Sequence, residues 1–161
     1  MSWRIVTRSR LARQGRLLPD RIVTVAPGFG QSSMPDEIGV LLPTGAGPAA
    51  LVEGLVEDPA PSRGAIVGLF LAGPFLNIEL EGRRLRQAGV SWVTNLPSVV
   101  QHDREFAVQL TDVGLDPARE LAALAAFREQ GFRIAATVSD AQGAAAAAET
   151  GADAMVVMPR V

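Results

Sequence analysis

The sequence predicts an α/β domain in which parallel strands alternate with helices, and three observations carry that prediction. A helix end, a glycine and a buried strand recur as one phrase: Ala88-Gly89-Val-Ser-Trp-Val-Thr-Asn95, Glu129-Gln-Gly131-Phe-Arg-Ile-Ala-Ala-Thr137 and Glu149-Thr-Gly151-Ala-Asp-Ala-Met-Val-Val157. Glycine accepts left-handed geometry after a helix without a Cβ penalty, and the apolar residues behind it suit a pleated strand. Residues 65–71 are a continuous apolar run, the mark of a strand covered on both faces as in parallel sheets. The chain of 161 residues suits one domain. Two architectures compete: an open doubly wound sheet, and a (β/α) barrel, which when complete takes about 250 residues. Length alone favours the open sheet.

Residues 4–17 are expected to form a short basic amphipathic helix, with Leu11 and Leu17 as its apolar side and Pro19 as its stop. Residues 1–20 thus read as a basic N-terminal segment ahead of a single α/β domain over 21–161. Residues 21–26, Arg-Ile-Val-Thr-Val-Ala, are the first strand, 27–36 a turn and loop, and 37–42 a second short strand. Residues 43–47 lead into a helix from Pro48 to Glu57, proline being tolerated in a first helical turn. The breaker-rich run 58–64 is a connection too short to divide domains.

After the strand at 65–71, Gly73-Pro74 ends it. A helix over 75–88 then puts Phe75, Ile78 and Leu85 on an apolar side and leaves Glu79, Arg83, Arg86 and Gln87 to water. The next strand spills into the polar turn Asn95-Leu-Pro97-Ser98, and 106–110 is weakly helical. Asp116-Pro117 opens the clearest helix, an N-cap followed by proline at the first position, running to Gln130. A strand over 132–138 follows. Ser139 and Gln142 have capping-box spacing for an alanine-rich helix to Thr150, and 153–158 is the last strand. Trp92 and Phe75 read most simply as core aromatics.

Composition removes whole classes of chemistry. The chain has no Cys, so disulfides, thiolate nucleophiles and cysteine-ligated metals are excluded, and one histidine does not make a zinc site. All 15 basic residues are Arg. Schiff-base, PLP and P-loop chemistry each need a lysine and are excluded with it. Tyr is absent too, which leaves His102 and 17 carboxylates as the acid/base inventory. No metal and no cofactor are expected. The phrase Gly45-Ala-Gly47-Pro-Ala-Ala50 fits a dinucleotide loop, but no acid closes the strand at 65–71 to hold a ribose.

A formal charge of −2 argues against a general nucleic-acid role. The cluster Arg4, Arg8, Arg10, Arg13, Arg16 and Arg21 is either a contact for phosphate or an acidic partner, or a solvated face. No apolar run reaches the roughly 18–20 residues of a membrane span, and the arginine-studded N-terminus lacks the apolar block of a signal peptide. A cytoplasmic location without membrane contact is expected.

Strand carboxyl ends are where α/β folds place ligands, which makes Asn95 and Ser98 candidate substrate contacts. Thr44 and Gly45 after the second strand and Gly28 after the first hold the same position. For Asn95 and Ser98 a second reading stays open, a turn that caps its own backbone. His102, beside Asp103 and Glu105, is a candidate catalytic acid/base or a histidine on a polar loop. Glu79 is a candidate catalytic carboxylate, or an acid placed to suit a helix N-terminus.

From Leu41 to Met158 an ordered series of phrases resembles the phosphoenolpyruvate hydrolase-like TIM-barrel family. It comprises Leu41-Leu42-Pro43-Thr44-Gly45, Gly73-Pro74-Phe75, Gly89-Val-Ser-Trp-Val-Thr-Asn95-Leu-Pro97-Ser98-Val99, residues 106–114, and Glu149-Thr-Gly151-Ala-Asp153. Against the family's pattern, this chain lacks a helix and strand between Gly30 and Gly39 and the last two strands of the barrel. Phe70 and Gly73 stand where the family carries a cysteine and an aspartate, and the histidine after the sixth strand is replaced near Met158-Pro159. The family's Asn-Phe-Pro-Thr-Val reads Asn95-Leu-Pro97-Ser98-Val99 here, and its Glu-Thr-Gly phrase reads Thr111-Asp112-Val113-Gly114. The resemblance implies a shortened, incomplete TIM-like barrel that binds a small anionic molecule, as a lyase or hydrolase of an oxo acid. The alternative is a non-catalytic shortened-barrel subunit that works through oligomerisation or a partner protein. Open strand edges predict a homodimer.

Overall fold

The tetrapeptide Arg-Ile-Val-Thr occurs twice, and both copies are strands. β1 (Arg4–Thr7) and β2 (Arg21–Thr24) pair in parallel with Arg4 opposite Arg21. Three β-branched residues in a row are stiff at χ1 and favour extended backbone, which overrides the basic pattern that suggested a helix from residue 4. The computed structural model describes residues 4–7, 21–24, 48–158 and 160. The remainder of the expected helix at 8–17, the loop at 27–36, the strand at 37–42 and the lead at 43–47 lie outside the described residues.

Four further strands belong to the sheet among the described residues: β3 (Ile66–Leu69), β4 (Trp92–Asn95), β5 (Arg133–Val138) and β6 (Ala154–Val157). All pairings are parallel, and the order is β1-β2-β3-β4-β5-β6. A doubly wound sheet reverses its strand order at a switch point, and none occurs here. The winding is therefore that of a barrel, open among the described residues with β1 and β6 as its edges. The doubly wound alternative is set aside on this order.

Between the strands run α1 (Pro48–Glu57), α2 (Ile78–Gln87), α3 (Arg104–Asp112), α4 (Pro117–Glu129) and α5 (Ala141–Glu149). Gly89, Gly131 and Gly151 have φ of 72°, 90° and 73°, so each helix–glycine–strand phrase turns as its composition predicts. Asp116 caps α4 by accepting from Arg119 N, with Pro117 in the first turn. Two starts differ from expectation. α2 begins at Ile78 because Asn77 accepts from Leu80 N, which leaves Phe75 in the preceding loop, 97% exposed rather than in the core. α5 is capped by Asp140, not Ser139: its carboxylate accepts from Gly143 N at 2.8 Å, a charge-assisted bond. α3 is a full helix of nine residues with Asp103 as its cap, and none of its residues is buried.

The period-two alternation of the strands sorts the core into two layers. Val23, Val67, Leu69, Val93, Ile134, Ala136 and Val138 meet Leu51, Leu55, Leu85, Leu124 and Phe127 from the helices. On the opposite face Ile22, Ile66, Leu96, Ala135, Val156 and Met158 form a smaller cluster, with Trp92 packed against it. Trp92 is only partly buried, and the Arg133 guanidinium lies 5.2 Å from its ring centroid. Three threonines polarise that second face at its carboxyl end. Thr94 and Thr137 hydroxyls are 3.1 Å apart, and the Thr24 hydroxyl lies 3.1 Å from the Gly68 carbonyl and 3.0 Å from that of Leu96.

Candidate functional site

Asn95 is the last residue of β4 and shares the parity of Val93, so its side chain faces the helices, opposite to the threonines. There it meets α4. The stripe Glu120-Ala123-Leu124-Phe127 is the buried side of that helix, at i, i+3, i+4 and i+7, and a carboxylate occupies its first position. Glu120 is fully buried.

Past β4 the chain crosses the cis Leu96–Pro97 peptide bond and enters a single 3₁₀ turn at Val99–Gln101. Ser98 caps that turn: its hydroxyl accepts from Val100 N, and Gln101 Oε1 accepts from Ser98 N at 3.0 Å. The Ser98 hydroxyl also donates to Glu120 Oε2 at 2.5 Å, and the same oxygen accepts from Asn95 Nδ2 at 2.8 Å. Glu120 Oε1 accepts from Val99 N at 3.0 Å. Asn95 closes the ring by accepting from Thr137 N at 2.7 Å and donating to Thr137 O at 3.3 Å. One buried carboxylate thus ties the β4 turn, α4 and β5 together. Burial pushes the Glu120 carboxyl up to about 7, against the opposing pull of its bonds from Ser98, Asn95 and Val99.

Asn95 and Ser98 are therefore brought together, but behind the surface, with their polar groups bonded to each other, to Glu120 and to backbone. His102 follows the turn, partly exposed, and its ring meets Phe106 edge-on at 4.9 Å. Burial lowers its pKa, and Asp103 opposes the shift. Glu79 is exposed in the first turn of α2 and pairs with Arg83 at 2.6 Å. Thr44, Gly45 and Gly28 lie outside the described residues. Glu120 escaped the sequence reading because an acid in the first turn of a helix ordinarily signals the helix dipole. The signal that finds it is its place on the apolar stripe.

Beyond the ring, a cleft of about 240 Å³ opens between the 3₁₀ turn and α3. Val99, Val100, Ala107, Val108 and Pro117 give it apolar walls, and Arg104, Thr111, Asp112 and Arg160 are its polar lining. Arg160 pairs with Asp140 at 2.8 Å and donates to Ser139 Oγ at 3.2 Å. Arg104 makes no hydrogen bond or ion pair among the described residues. Those residues hold no group of three carboxylates and imidazoles placed to bind a metal ion, and no helix among them is long and apolar enough to cross a membrane.

No curated protein matches this sequence. The family model for phosphoenolpyruvate hydrolase-like proteins matches residues 56–159, from the end of α1 through β6, and so spans the buried ring and, except for Arg160, the lining of the cleft beside it. The parallel, sequentially wound sheet and this match agree: the chain belongs to the phosphoenolpyruvate hydrolase-like family.

Proposed function

We propose that the chain is a small-molecule-binding protein that takes a small anionic oxo acid in the cleft beyond β4. The observation that carries this reading is the unpaired Arg104 guanidinium, placed with apolar walls just past a strand carboxyl end. Its planar fork suits a carboxylate or phosphate in two-point contact. Asn95, Ser98 and Glu120 act by fixing Val99, a wall of the cleft, rather than by touching the ligand. A lyase or hydrolase step on the bound acid needs a proton carrier. His102 is the one imidazole in the chain, and its lowered pKa keeps it a neutral base near pH 7.

Calorimetric titration with pyruvate and with phosphoenolpyruvate tests the reading. Wild type should bind at least one, and Arg104→Ala should weaken it by about tenfold, the worth of a charged hydrogen bond. Unchanged affinity in that variant rejects the cleft. The internal satisfaction of Asn95, Ser98 and Glu120 favours the second reading, a non-catalytic binding subunit. Binding without turnover decides for it, whereas turnover that disappears in His102→Ala decides for the enzyme.

The same proposal takes the protein to be a homodimer. β6 is an edge strand whose helix-side residues are uncovered, Val157 at 75% exposure and Met155 at 36%. An exposed apolar edge strand is a template for a second copy. Light scattering should give twice the chain mass, reduced to a monomer by Val157→Asp. A wild-type monomer at every concentration rejects this part.

A further inference from the structure

A second cleft, of about 380 Å³, opens past the carboxyl end of β3, between that strand's exit loop and the first turns of α1 and α2. Phe70, Pro74, Phe75, Leu76 and Leu80 make it largely apolar, and Glu81 is the one charged residue among its described lining. The Glu81 side chain is 7% exposed, so it has left water. One of its oxygens, Oε2, has no hydrogen-bond partner among the described residues. The other has Arg84 Nη1 at 3.8 Å as its ion-pair partner among the described residues, too long for a hydrogen bond.

A buried carboxylate left in this state is costly, and dipole stabilisation of α2 does not explain it, because exposed Glu79 and the Asn77 cap already serve that helix end. Burial raises the Glu81 pKa, with Arg84 opposing. What the site lacks is a donor with positive charge. Among the described lining residues an anion meets no cation, and a hard metal ion meets one carboxylate where it needs several oxygens. An ammonium group on an apolar body satisfies both parts of the cleft. Its N–H groups meet the Glu81 carboxylate, its body packs against Phe70, Leu76 and Leu80, and the ring of Phe75, 97% exposed, covers the cation.

We propose that this cleft is a binding site for a small primary amine with an aromatic or aliphatic body, held by Glu81 and covered by Phe75. It is separate from the anion cleft and lies outside the function proposed above.

Phenethylamine and its uncharged counterpart 2-phenylethanol are the probes, titrated into the whole protein by calorimetry. The amine should bind about tenfold tighter than the alcohol, the worth of a charged over a neutral contact. Glu81→Gln should erase that difference. Arg84→Ala removes the cation that competes for Glu81 and should tighten amine binding, while Phe75→Ala, at a residue that supports no packing, should loosen it about two- to fivefold. Equal binding of both probes, no amine binding by wild type, or full selectivity retained in a folded Glu81→Gln protein each overturns the site. Should Glu81→Gln fail to fold, the two surface variants decide: an amine affinity unmoved in both rejects the proposal.

Discussion

At pH 5, Glu120→Ala should lose roughly 3–5 kcal/mol of unfolding free energy, the combined cost of orphaned buried donors and a cavity. The Ser98 hydroxyl and Val99 N–H lose their acceptor at a place no water reaches, and Asn95 Nδ2 loses its shortest bond. The cost should also depend on pH, with a definite sign. The Glu120 pKa in the folded protein, about 7, lies above its ordinary value of 4.5, so between these values the folded state keeps a proton that the unfolded chain has released. Stability conferred by Glu120 is therefore complete below about pH 4.5 and declines as pH rises to about 7, by on the order of 3 kcal/mol. Denaturant unfolding at pH 5 and pH 7.5 reads both effects: wild type should be the more stable at pH 5, and the gap to Glu120→Ala should narrow at the higher pH. Glu120→Gln should flatten this part of the pH profile, since it cannot titrate. A wild-type curve that rises through the window would show that the carboxyl is ionised when folded.

Gly68→Val should be as damaging, at about 3 kcal/mol or more, by a steric rather than an electrostatic route. Gly68 lies in β3 opposite Thr94 on the threonine face. A Cβ there would stand 2.6 Å from the Leu96 carbonyl oxygen, 3.1 Å from Ile22 Cγ2 and 3.2 Å from Leu96 Cβ. The nearest of these is backbone and cannot swing aside, and it is also an acceptor for the Thr24 hydroxyl. Even Gly68→Ala should lower the unfolding midpoint measurably. An alanine variant as stable as wild type would mean that the turn after β4 relaxes freely, contrary to the hydrogen bonds that hold it.

The fold was legible where one local rule had no competitor. Asp116-Pro117 fixed the start of α4, and the helix–glycine–strand phrases located β4, β5 and β6. Local rules failed where two of them applied at once. Arg4 and its neighbouring arginines suggested a helix, while Ile5-Val6-Thr7 favoured a strand, and pairing with the identical tetrapeptide at β2 decided for the strand. Phe75 read as core because an aromatic residue beside a helix usually is, yet the Asn77 cap starts the helix at Ile78, three residues too late to turn that ring inward. Asp140 outcompeted Ser139 as a cap because a charged acceptor bonds a backbone N–H more strongly than a hydroxyl does.

The site was half legible for a similar reason. Asn95 and Ser98 stand out in sequence by their position at a strand end. Which face Asn95 takes follows from parity alone: it lies two residues after Val93 and must share its helix-facing side. What sequence spacing cannot give is the partner 25 residues away, since Glu120 meets Asn95 only once α4 has packed on the sheet. The cleft with Arg104 and the one with Glu81 are likewise tertiary. Each gathers residues from separate elements whose meeting no local pattern encodes.

Consecutive strand order also governs how the molecule assembles in time. Each pairing from β3 onward joins a strand to the next in the chain, so ordering one helix and its connections, or two helices between β4 and β5, is enough to close it, as between Ala135 and Ala154. No pairing waits on a distant one, and the ensemble can grow by nearest-neighbour addition, a topology of short-range closures that favours rapid folding for a parallel sheet. Assembly of this kind also runs backwards from its margins. Amide exchange should be slowest in β4 and β5 and fastest in β6, which would make the exposed edge the first part of the sheet to open and the last to set.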